Sequence, residues 1–234
     1  MNSGALLFLG VLLTTAMSFW GLVIAPAFQL GRQDLVETSV GRYPTGRSGL
    51  AQRGANVYRS LGCVECHTQQ VRPRGFGTDI DRGWGLRRTV GQDYLRDQPP
   101  LIGNLRIGPD LANVSTRRPD PRWHYEHLYD PQRLVPGSMM PPYKFLFEKR
   151  RIAGRATAGA LVENGFEIVP TEDADALVAY VLSLQSNVSV FEAPLPPPPT
   201  NAVPAEAGTN APAGNTNATA ANTNAAAATN PPVK

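Results

Sequence analysis

Residues 63–67 read Cys63-Val64-Glu65-Cys66-His67, a stretch that specifies both a prosthetic group and a local fold in this 234-residue chain. Two thiols three residues apart can each add to a vinyl group of one porphyrin, and the histidine after them can ligate the iron from one face. This spacing is the c-type haem attachment pattern. We therefore expect one covalent haem c, attached through Cys63 and Cys66, with His67 as an axial ligand.

Two other kinds of site use a pair of cysteines at this spacing, a redox-active disulfide and one half of a zinc site. Cys63 and Cys66 are the only cysteines of the chain. No alternation of strands and helices surrounds them, which argues against the redox motif. A zinc site would need His124 and His127, but only two residues separate these histidines, and His67 would then have no role. The sequence favours haem c over both alternatives.

The N-terminal segment is apolar and long. Residues 4–30 contain no charged side chain, and about 20 apolar residues are enough for a helix to cross a bilayer. A cleaved signal peptide is the alternative, because Ala25-Pro26-Ala27 resembles a small-residue cleavage site. No Lys or Arg precedes the segment, however, and it exceeds the usual length of a signal peptide's apolar region. We predict an uncleaved transmembrane anchor over residues 1–31.

The remaining chain divides into three parts by composition. We predict a linker over residues 32–47, a cytochrome c domain over residues 48–190 and a disordered tail over residues 191–234. The tail is rich in Pro, Ala, Asn and Thr and has almost no large apolar side chains, so it cannot bury enough surface to offset the entropy of ordering.

Two helices are expected at the ends of the cytochrome c domain. Ser48 is placed to cap a helix over residues 49–61, whose Leu50 and Tyr58 recur near helical spacing. Thr171 is placed to cap a second helix with acidic residues in its first turn and an apolar stripe around Leu177. The predicted fold class is mainly α: an N-terminal transmembrane helix, a class I cytochrome c-like haem domain with long loops, and the tail.

A six-coordinate haem needs a second axial ligand. Apart from Met1 and Met17, the methionines are Met139 and Met140, which lie in a proline-rich loop without helical character. Methionine in such a loop is a poor core residue and a good candidate ligand, and His/Met ligation raises the reduction potential of a haem. His127 is the other candidate.

Basic and aromatic residues are candidates for the surroundings of the haem. All Lys and Arg residues except Lys234 lie between Arg32 and Arg155, where they outnumber the acidic residues. Such a surface favours an acidic subunit or anionic lipid headgroups as partners, and no nucleic-acid partner is expected of a membrane-anchored haem domain. The candidate haem contacts are Arg72, Arg87 and Arg88 for the propionates, and Trp84, Trp123 and Tyr143 for the crevice.

Several segments of the chain resemble the membrane-anchored monohaem cytochrome c subunit, subunit II, of cbb₃-type haem-copper cytochrome c oxidases. Together with the apolar N-terminus they spread over most of residues 5–185, and their ordered combination is far more specific than the haem motif alone. The matching segments are Gly54–Tyr58, Gly62–Pro73, Gly108–Leu111, Trp123–Pro131 and, in the last loop, Val135, Pro136, Ser138, Met140, Pro141 and Tyr143.

The resemblance implies a subunit that catalyses nothing alone and passes electrons to a catalytic subunit containing haem b and a haem–copper centre. A second cytochrome c subunit would be a further partner. The resemblance also implies Met140, rather than Met139, as the second axial ligand. The alternatives are a haem c carrier of a quinol-oxidising complex and, less expected, a haem enzyme or gas sensor with an open iron site.

Covalent haem attachment indicates the side of the membrane. Bacteria attach haem c on the outer face of the cytoplasmic membrane, so we expect a single-pass protein with its haem domain in the periplasm. The basic residues that follow the anchor would favour the cytoplasm, but charge bias is a weak signal for a long domain.

Overall fold

An apolar helix begins the structure. The computed structural model describes residues 3–31, 33–39, 41–157 and 160–197. Among these residues, Ser3–Gln29 is the one helical stretch that is long and apolar enough to cross a membrane. The predicted N-terminal apolar helix is therefore confirmed as a candidate membrane span. It consists of α1 (Ser3–Phe19), a π-helical turn (Trp20–Ile24) and α2 (Ala25–Leu30).

The π-helical turn lies just before Pro26, which has no backbone N–H and cannot continue regular helical hydrogen bonding. The N–H of Ala25 instead donates to the carbonyl oxygen of Trp20, five residues earlier. A single π turn of this kind lets a helix continue past a proline. The Ala25-Pro26-Ala27 segment, which resembles a cleavage site, is thus part of the helix.

After Gly31, short helices and strands alternate with long loops. The remaining strands and α-helices are β1 (Val36–Thr38), β2 (Gly41–Tyr43), α3 (Gly49–Ser60), α4 (Val114–Arg117), α5 (Pro121–Tyr129), α6 (Pro131–Leu134), β3 (Phe147–Arg151), β4 (Leu161–Glu163), β5 (Phe166–Pro170) and α7 (Glu172–Leu182). Short 3₁₀ turns occur at Cys63–Glu65, Gly91–Tyr94 and Lys144–Leu146.

Both predicted helix caps are confirmed. The hydroxyl oxygen of Ser48 accepts a hydrogen bond from the N–H of Ala51 at the start of α3. The hydroxyl oxygen of Thr171 accepts one from the N–H of Ala174 at the start of α7. Each cap satisfies a backbone donor that has no partner inside its helix.

Helices α3 and α7 pack against each other. A Cβ atom on Gly54 would lie 1.8 Å from the carbonyl oxygen of Ala176, so only glycine permits this approach. The rings of Tyr58 and Tyr180 meet with centroids 5.3 Å apart. Leu50, by contrast, is 49% exposed, because the buried face of α3 is formed by Ala51, Gly54, Ala55 and Tyr58.

Two small antiparallel sheets accompany the helices, and the mainly α prediction did not include them. β1 pairs with β2, and β5 lies between β3 and β4. These strands have only three to five residues each. So short a strand contains too few alternations of apolar and polar side chains to be recognised from sequence.

A second, smaller apolar cluster brings together distant parts of the chain. Tyr43 and Val90 pack there with Val190 and Ala193, all at most 5% exposed. Tyr43 comes from the predicted linker and Ala193 from the first residues of the predicted tail. Residues 198–234, which make up most of that tail, lie outside the described residues.

Candidate haem site

The cysteine–histidine motif directly follows α3. Gly62 has a φ of +71°, a left-handed conformation that ends the helix and starts the 3₁₀ turn. The N–H of His67 then donates to the carbonyl oxygen of Cys63 at 3.0 Å. Both Cys63 and Cys66 are free and partly buried, and burial raises the pKa of the Cys63 thiol to about 11. The turn therefore presents two thiols next to one imidazole, and the thiol of Cys63 stays protonated at neutral pH.

The imidazole of His67 is held in one tautomer. Its Nδ1 lies 2.8 Å from the carbonyl oxygen of Pro109, and because a carbonyl only accepts, Nδ1 must donate. Burial lowers the pKa of His67, which favours the neutral ring. Nε2 then carries the free lone pair, which is the arrangement that a metal-ligating histidine needs.

Glycines allow the segment around Pro109 to lie against the motif. A Cβ atom on Gly108 would lie 2.2 Å from Cε1 of His67, and one on Gly103 would lie 2.5 Å from the His67 carbonyl oxygen. The N–H of Gly108 donates to the carbonyl oxygen of Cys66 at 2.9 Å. The backbone thus packs directly on the histidine ring and orients it.

The methionine loop places its two methionines differently. Met139 is 77% exposed, whereas Met140 is partly buried and packs on the main apolar cluster, as do Cys63 and Tyr143. The N–H of Met140 donates to the hydroxyl of Ser138 at 3.3 Å. The loop therefore brings the side chain of Met140 to the cluster that contacts the motif and leaves Met139 in solvent.

His127 lies near His67, so a positive charge on one imidazole would disfavour a positive charge on the other. Burial lowers the pKa of His127 to about 4, with His67 and His124 contributing. The ring of His127 stacks on Trp123 with centroids 4.6 Å apart, and its Nδ1 is buried with no hydrogen-bond partner among the described residues. His127 is therefore a neutral, uncommitted imidazole.

The zinc interpretation finds no support in the placement of these side chains. His124 uses its Nε2 to donate to the carbonyl oxygen of Arg118 at 2.8 Å. Across the part of the chain that the structure describes, no three His, Cys, Asp or Glu side chains are grouped to hold a metal ion.

The three arginines predicted to contact propionates all have partners within the protein. Arg87 is almost fully buried and pairs with an equally buried carboxylate at 2.6 Å, and Arg72 pairs with a buried carboxylate at 3.0 Å. Arg88 donates to a backbone carbonyl oxygen at 2.9 Å. The partners are Asp93 for Arg87, Asp79 for Arg72 and Glu192 for Arg88.

The three predicted crevice aromatics lie in different surroundings. The hydroxyl of Tyr143 interacts with the Cys63 thiol, and Trp123 carries the stacked ring of His127. Trp84 lies instead under the guanidinium groups of Arg82 and Arg106, with Cζ atoms 5.2 Å and 5.6 Å from its ring centre. Tyr143 and Trp123 are thus next to residues of the candidate site, whereas the contacts of Trp84 are with arginines.

A buried polar network lies behind His67, and no sequence pattern predicts it. Asp110 is fully buried and accepts hydrogen bonds from the hydroxyl of Thr68 at 2.6 Å and from the N–H of Gln70 at 2.7 Å. Arg106 donates to Thr68 at 2.8 Å and pairs with Asp79 at 2.6 Å. The network fixes the chain on both sides of the His67–Pro109 contact, and no spacing rule could have revealed pairs 27 to 42 residues apart.

A cavity of about 470 Å³ lies elsewhere, lined by residues such as Tyr43, Gln69 and Asp97. Cys63, Cys66, His67 and Met140 are not among its lining residues. The chemistry of the motif, and not this cavity, therefore marks the candidate site.

The residues around the motif fit a covalently bound haem. Two thiols are available for thioether bonds, the imidazole of His67 has Nε2 free, and glycine permits the backbone to lie flat against that ring.

A family model described as cytochrome c oxidase, mono-heme subunit/FixO, matches residues 3–176. The chain belongs to the FixO family. This membership confirms the resemblance to subunit II of cbb₃-type oxidases.

Membership of the FixO family has consequences for cofactor and partners. A mono-heme subunit implies one haem, and a subunit of a cytochrome c oxidase implies a complex with a catalytic subunit. The match includes the candidate membrane span, the cysteine–histidine motif and the methionine loop. A comparison with curated proteins finds no match for the chain.

Proposed function

We propose that this FixO-family chain is the electron-transfer subunit of a cbb₃-type oxidase, in which it carries one haem c and passes electrons to the catalytic subunit. The observation that carries this proposal is the contact of His67 with Pro109 inside a mono-heme family match. It leaves Nε2 of an oriented, neutral imidazole free beside two thiols. The domain around it would be of the class I cytochrome c type, with α3 and α7 as its crossing helices.

When bound, haem c supplies one-electron chemistry between Fe(II) and Fe(III). Cys63 and Cys66 would attach it covalently, and His67 would ligate it from one side. Met140, which packs on the same apolar cluster as Cys63, would ligate it from the other. With His67 and Met140 both holding the iron, the chain would exclude oxygen and other small ligands and would transfer electrons rather than catalyse a reaction.

The surrounding residues would tune this transfer. Pro109 sets the tautomer of His67, and its hydrogen bond to Nδ1–H would make Nε2 a more basic ligand for the iron. Tyr143 and Trp123 lie beside Cys63 and His127 and would limit the access of water, which affects the reduction potential.

The proposed location is the bacterial cytoplasmic membrane. Ser3–Gln29 would be the single span, and the haem domain would face the periplasm, where haem c is attached. The partners would be the haem-copper catalytic subunit, a second cytochrome c subunit and membrane lipid.

Purification of the full chain from its native membrane in mild detergent tests the proposal. We expect a pyridine haemochrome spectrum typical of thioether-linked haem, one haem per chain, and co-purification with a haem-copper subunit identified by mass spectrometry. Recovery with a quinol-oxidising complex instead would overturn the oxidase assignment. Rapid carbon monoxide binding by the isolated reduced subunit would show an open iron site and argue for a sensor or enzyme.

A further inference from the structure

Phe191 lies fully exposed on a closed turn. Its side chain is 100% exposed, whereas Val190 and Ala193 on either side of the turn are at most 5% exposed in the second apolar cluster. The N–H of Val190 donates to the carbonyl oxygen of Ala193 at 3.5 Å, and the N–H of Ala193 donates back at 3.1 Å. A single exposed apolar side chain is common on protein surfaces. The position of this turn in the fold therefore decides what its exposed ring means.

The turn is tied to the segment that follows the candidate membrane span. The side-chain amide of Gln33 donates to the carboxylate of Glu192 at 3.5 Å. The side-chain amide of Gln92 donates to the backbone carbonyl oxygen of Asp34 at 2.7 Å. Gln33 comes four residues after Gln29, where the span ends, and four residues reach at most about 14 Å when fully extended. The turn is thus held close to the point where the chain leaves the span.

The length of the span places this point at the lipid headgroups. Ser3–Gln29 has 27 residues, which make a helix about 40 Å long at a rise of about 1.5 Å per residue. A bilayer is about 30 Å thick in its hydrocarbon core and about 40–45 Å thick with its headgroup layers. A helix of this length runs from one headgroup layer to the other, so Gln33 lies at the membrane surface.

The charges near the turn are mixed. Arg42 pairs with Glu37 at 2.8 Å on the hairpin of β1 and β2, which adjoins the turn through the second apolar cluster. Arg88 donates to the backbone carbonyl oxygen of Glu192 at 2.9 Å. Acidic and basic groups accompany each other here, so attraction to anionic headgroups is not the driving force. The apolar ring of Phe191 is what the turn offers to a membrane surface.

We propose that Phe191 inserts into the lipid interface beside the span, so that the haem domain contacts the membrane at a second point. The inference rests on the proposed function, because it needs Ser3–Gln29 to cross the bilayer. Insertion removes the exposed ring from water without a charged partner. The second contact restricts the tilt of the haem domain relative to the membrane plane.

Spin labels on the haem-loaded full chain in phosphatidylcholine nanodiscs test the contact. Since haem takes Cys63 and Cys66, an introduced cysteine is the sole free thiol. Phe191→Cys reports on the turn. The matched control is Phe76→Cys, because Phe76 is 81% exposed on a turn closed by its own N–H and the carbonyl oxygen of Pro73, at 3.2 Å. Within the described residues, no hydrogen bond joins that control turn to residues 33–36.

The readout is collision of the nitroxide with oxygen, which concentrates in lipid, and with a water-soluble nickel chelate. The nitroxide side chain is apolar and close to phenylalanine in size, so it should occupy the same place. We expect the oxygen-to-nickel collision ratio at position 191 to be several times that at position 76. It should be unchanged when anionic lipid is added or the salt concentration is raised. Equal ratios at the two positions would overturn the proposal.

Two further labels separate the possible failures. Met17→Cys reports on the span, where Met17 is 62% exposed. A low ratio at both positions 17 and 191 would reject the spanning anchor of the proposed function and this contact with it, whereas a low ratio at position 191 alone would reject only the contact. In the purified oxidase complex, a retained preference for oxygen at position 191 supports lipid as the occupant. Loss of collisions with both reagents there would show that another subunit covers Phe191 and would overturn the proposal.

Discussion

At the scale of single residues, the candidate site depends on small groups in fixed places. The carbonyl oxygen of Pro109 selects the tautomer of His67, and Gly108 makes room for its ring. Neither residue would be singled out by its chemistry alone. The structure also distinguishes two adjacent methionines by exposure, which the sequence could separate only through a family resemblance.

The placement of the methionines leads to a spectroscopic prediction. We expect Met140→Ala to abolish the weak far-red sulfur-to-iron charge-transfer band of the oxidised, haem-loaded chain. Met139→Ala should leave the band unchanged, because the side chain of Met139 is in solvent. Absorption spectra of the purified variants in the far red check this. Loss of the band in Met139→Ala alone would show that the loop presents the other sulfur.

His127 adds a second outcome to the same experiment. Its imidazole is neutral, uncommitted and near His67, so we expect it to be the replacement ligand when the thioether is removed. If Met140→Ala stays low-spin, the double variant Met140→Ala/His127→Ala should become high-spin and bind carbon monoxide. A low-spin spectrum in the double variant would exclude His127 as the replacement.

At the scale of secondary structure, the contact between α3 and α7 holds the two ends of the haem domain together. Gly54 touches the backbone of Ala176, and Tyr58 meets Tyr180 in the same interface. The caps at Ser48 and Thr171 were predictable because a cap involves residues only three positions apart. The close approach of the two helices was not predictable from the sequence, because it joins residues more than a hundred positions apart.

Two glycines of α3 provide a matched test of this interface. Alanine at Gly54 would meet the Ala176 carbonyl oxygen, so the helices must separate, and we expect a loss of about 1–3 kcal/mol or more in the free energy of unfolding. Alanine at Gly49 meets no atom within 4 Å and should be neutral or stabilising by up to about 1 kcal/mol. Denaturant unfolding of both haem-loaded variants measures the difference. Equal stability of the two would show that the helices do not approach so closely.

At the scale of the whole molecule, buried tyrosines connect the apolar clusters to the polar groups around the site. Tyr58 reaches the His67 carbonyl oxygen, Tyr94 that of Gln69, and the Tyr180 hydroxyl exchanges hydrogen bonds with the Gln69 side chain. Burial is the main cause that raises their pKa values, to about 12 for Tyr180 and further for the other two. All three therefore remain neutral in the folded chain well above pH 10.

These raised pKa values predict alkaline unfolding. In the unfolded chain a tyrosine ionises near pH 10, whereas these three tyrosines keep their phenolic protons in the folded chain. The stability that depends on their raised pKa values is therefore fully present below pH 10 and is lost as the pH rises above it. Each such tyrosine should lower the free energy of unfolding by about 1.4 kcal/mol per pH unit. Denaturant titrations between pH 8 and pH 11.5 measure this slope.

Removal of one hydroxyl tests the origin of that slope. Tyr180→Phe should reduce the slope with which the free energy of unfolding falls above pH 10 by the contribution of one tyrosine. The variant should also be less stable at pH 8, because the contacts with Gln69 are lost. Below pH 9 the slopes of the variant and the unmutated chain should agree, since tyrosines are neutral in both states. An identical decline above pH 10 would mean that Tyr180 ionises in the folded chain.

The sequence by itself determined what depends on near neighbours along the chain. The spacing of Cys63, Cys66 and His67, the caps of α3 and α7 and the uncharged N-terminal run each involve residues a few positions apart or of one composition. These signals were sufficient for the haem motif, the two helices, the candidate membrane span and the resemblance that the FixO match confirms.

Tertiary structure alone decided how distant residues pair. It placed Pro109 against His67, and Asp79 beside Arg72 and Arg106. The chain has many arginines of equal chemistry, and nothing in the sequence around Arg72 or Arg106 shows which carboxylate each one meets. The pairing of each cation with its carboxylate is set by chain closure over several to tens of residues, and that depends on the packed core rather than on local spacing.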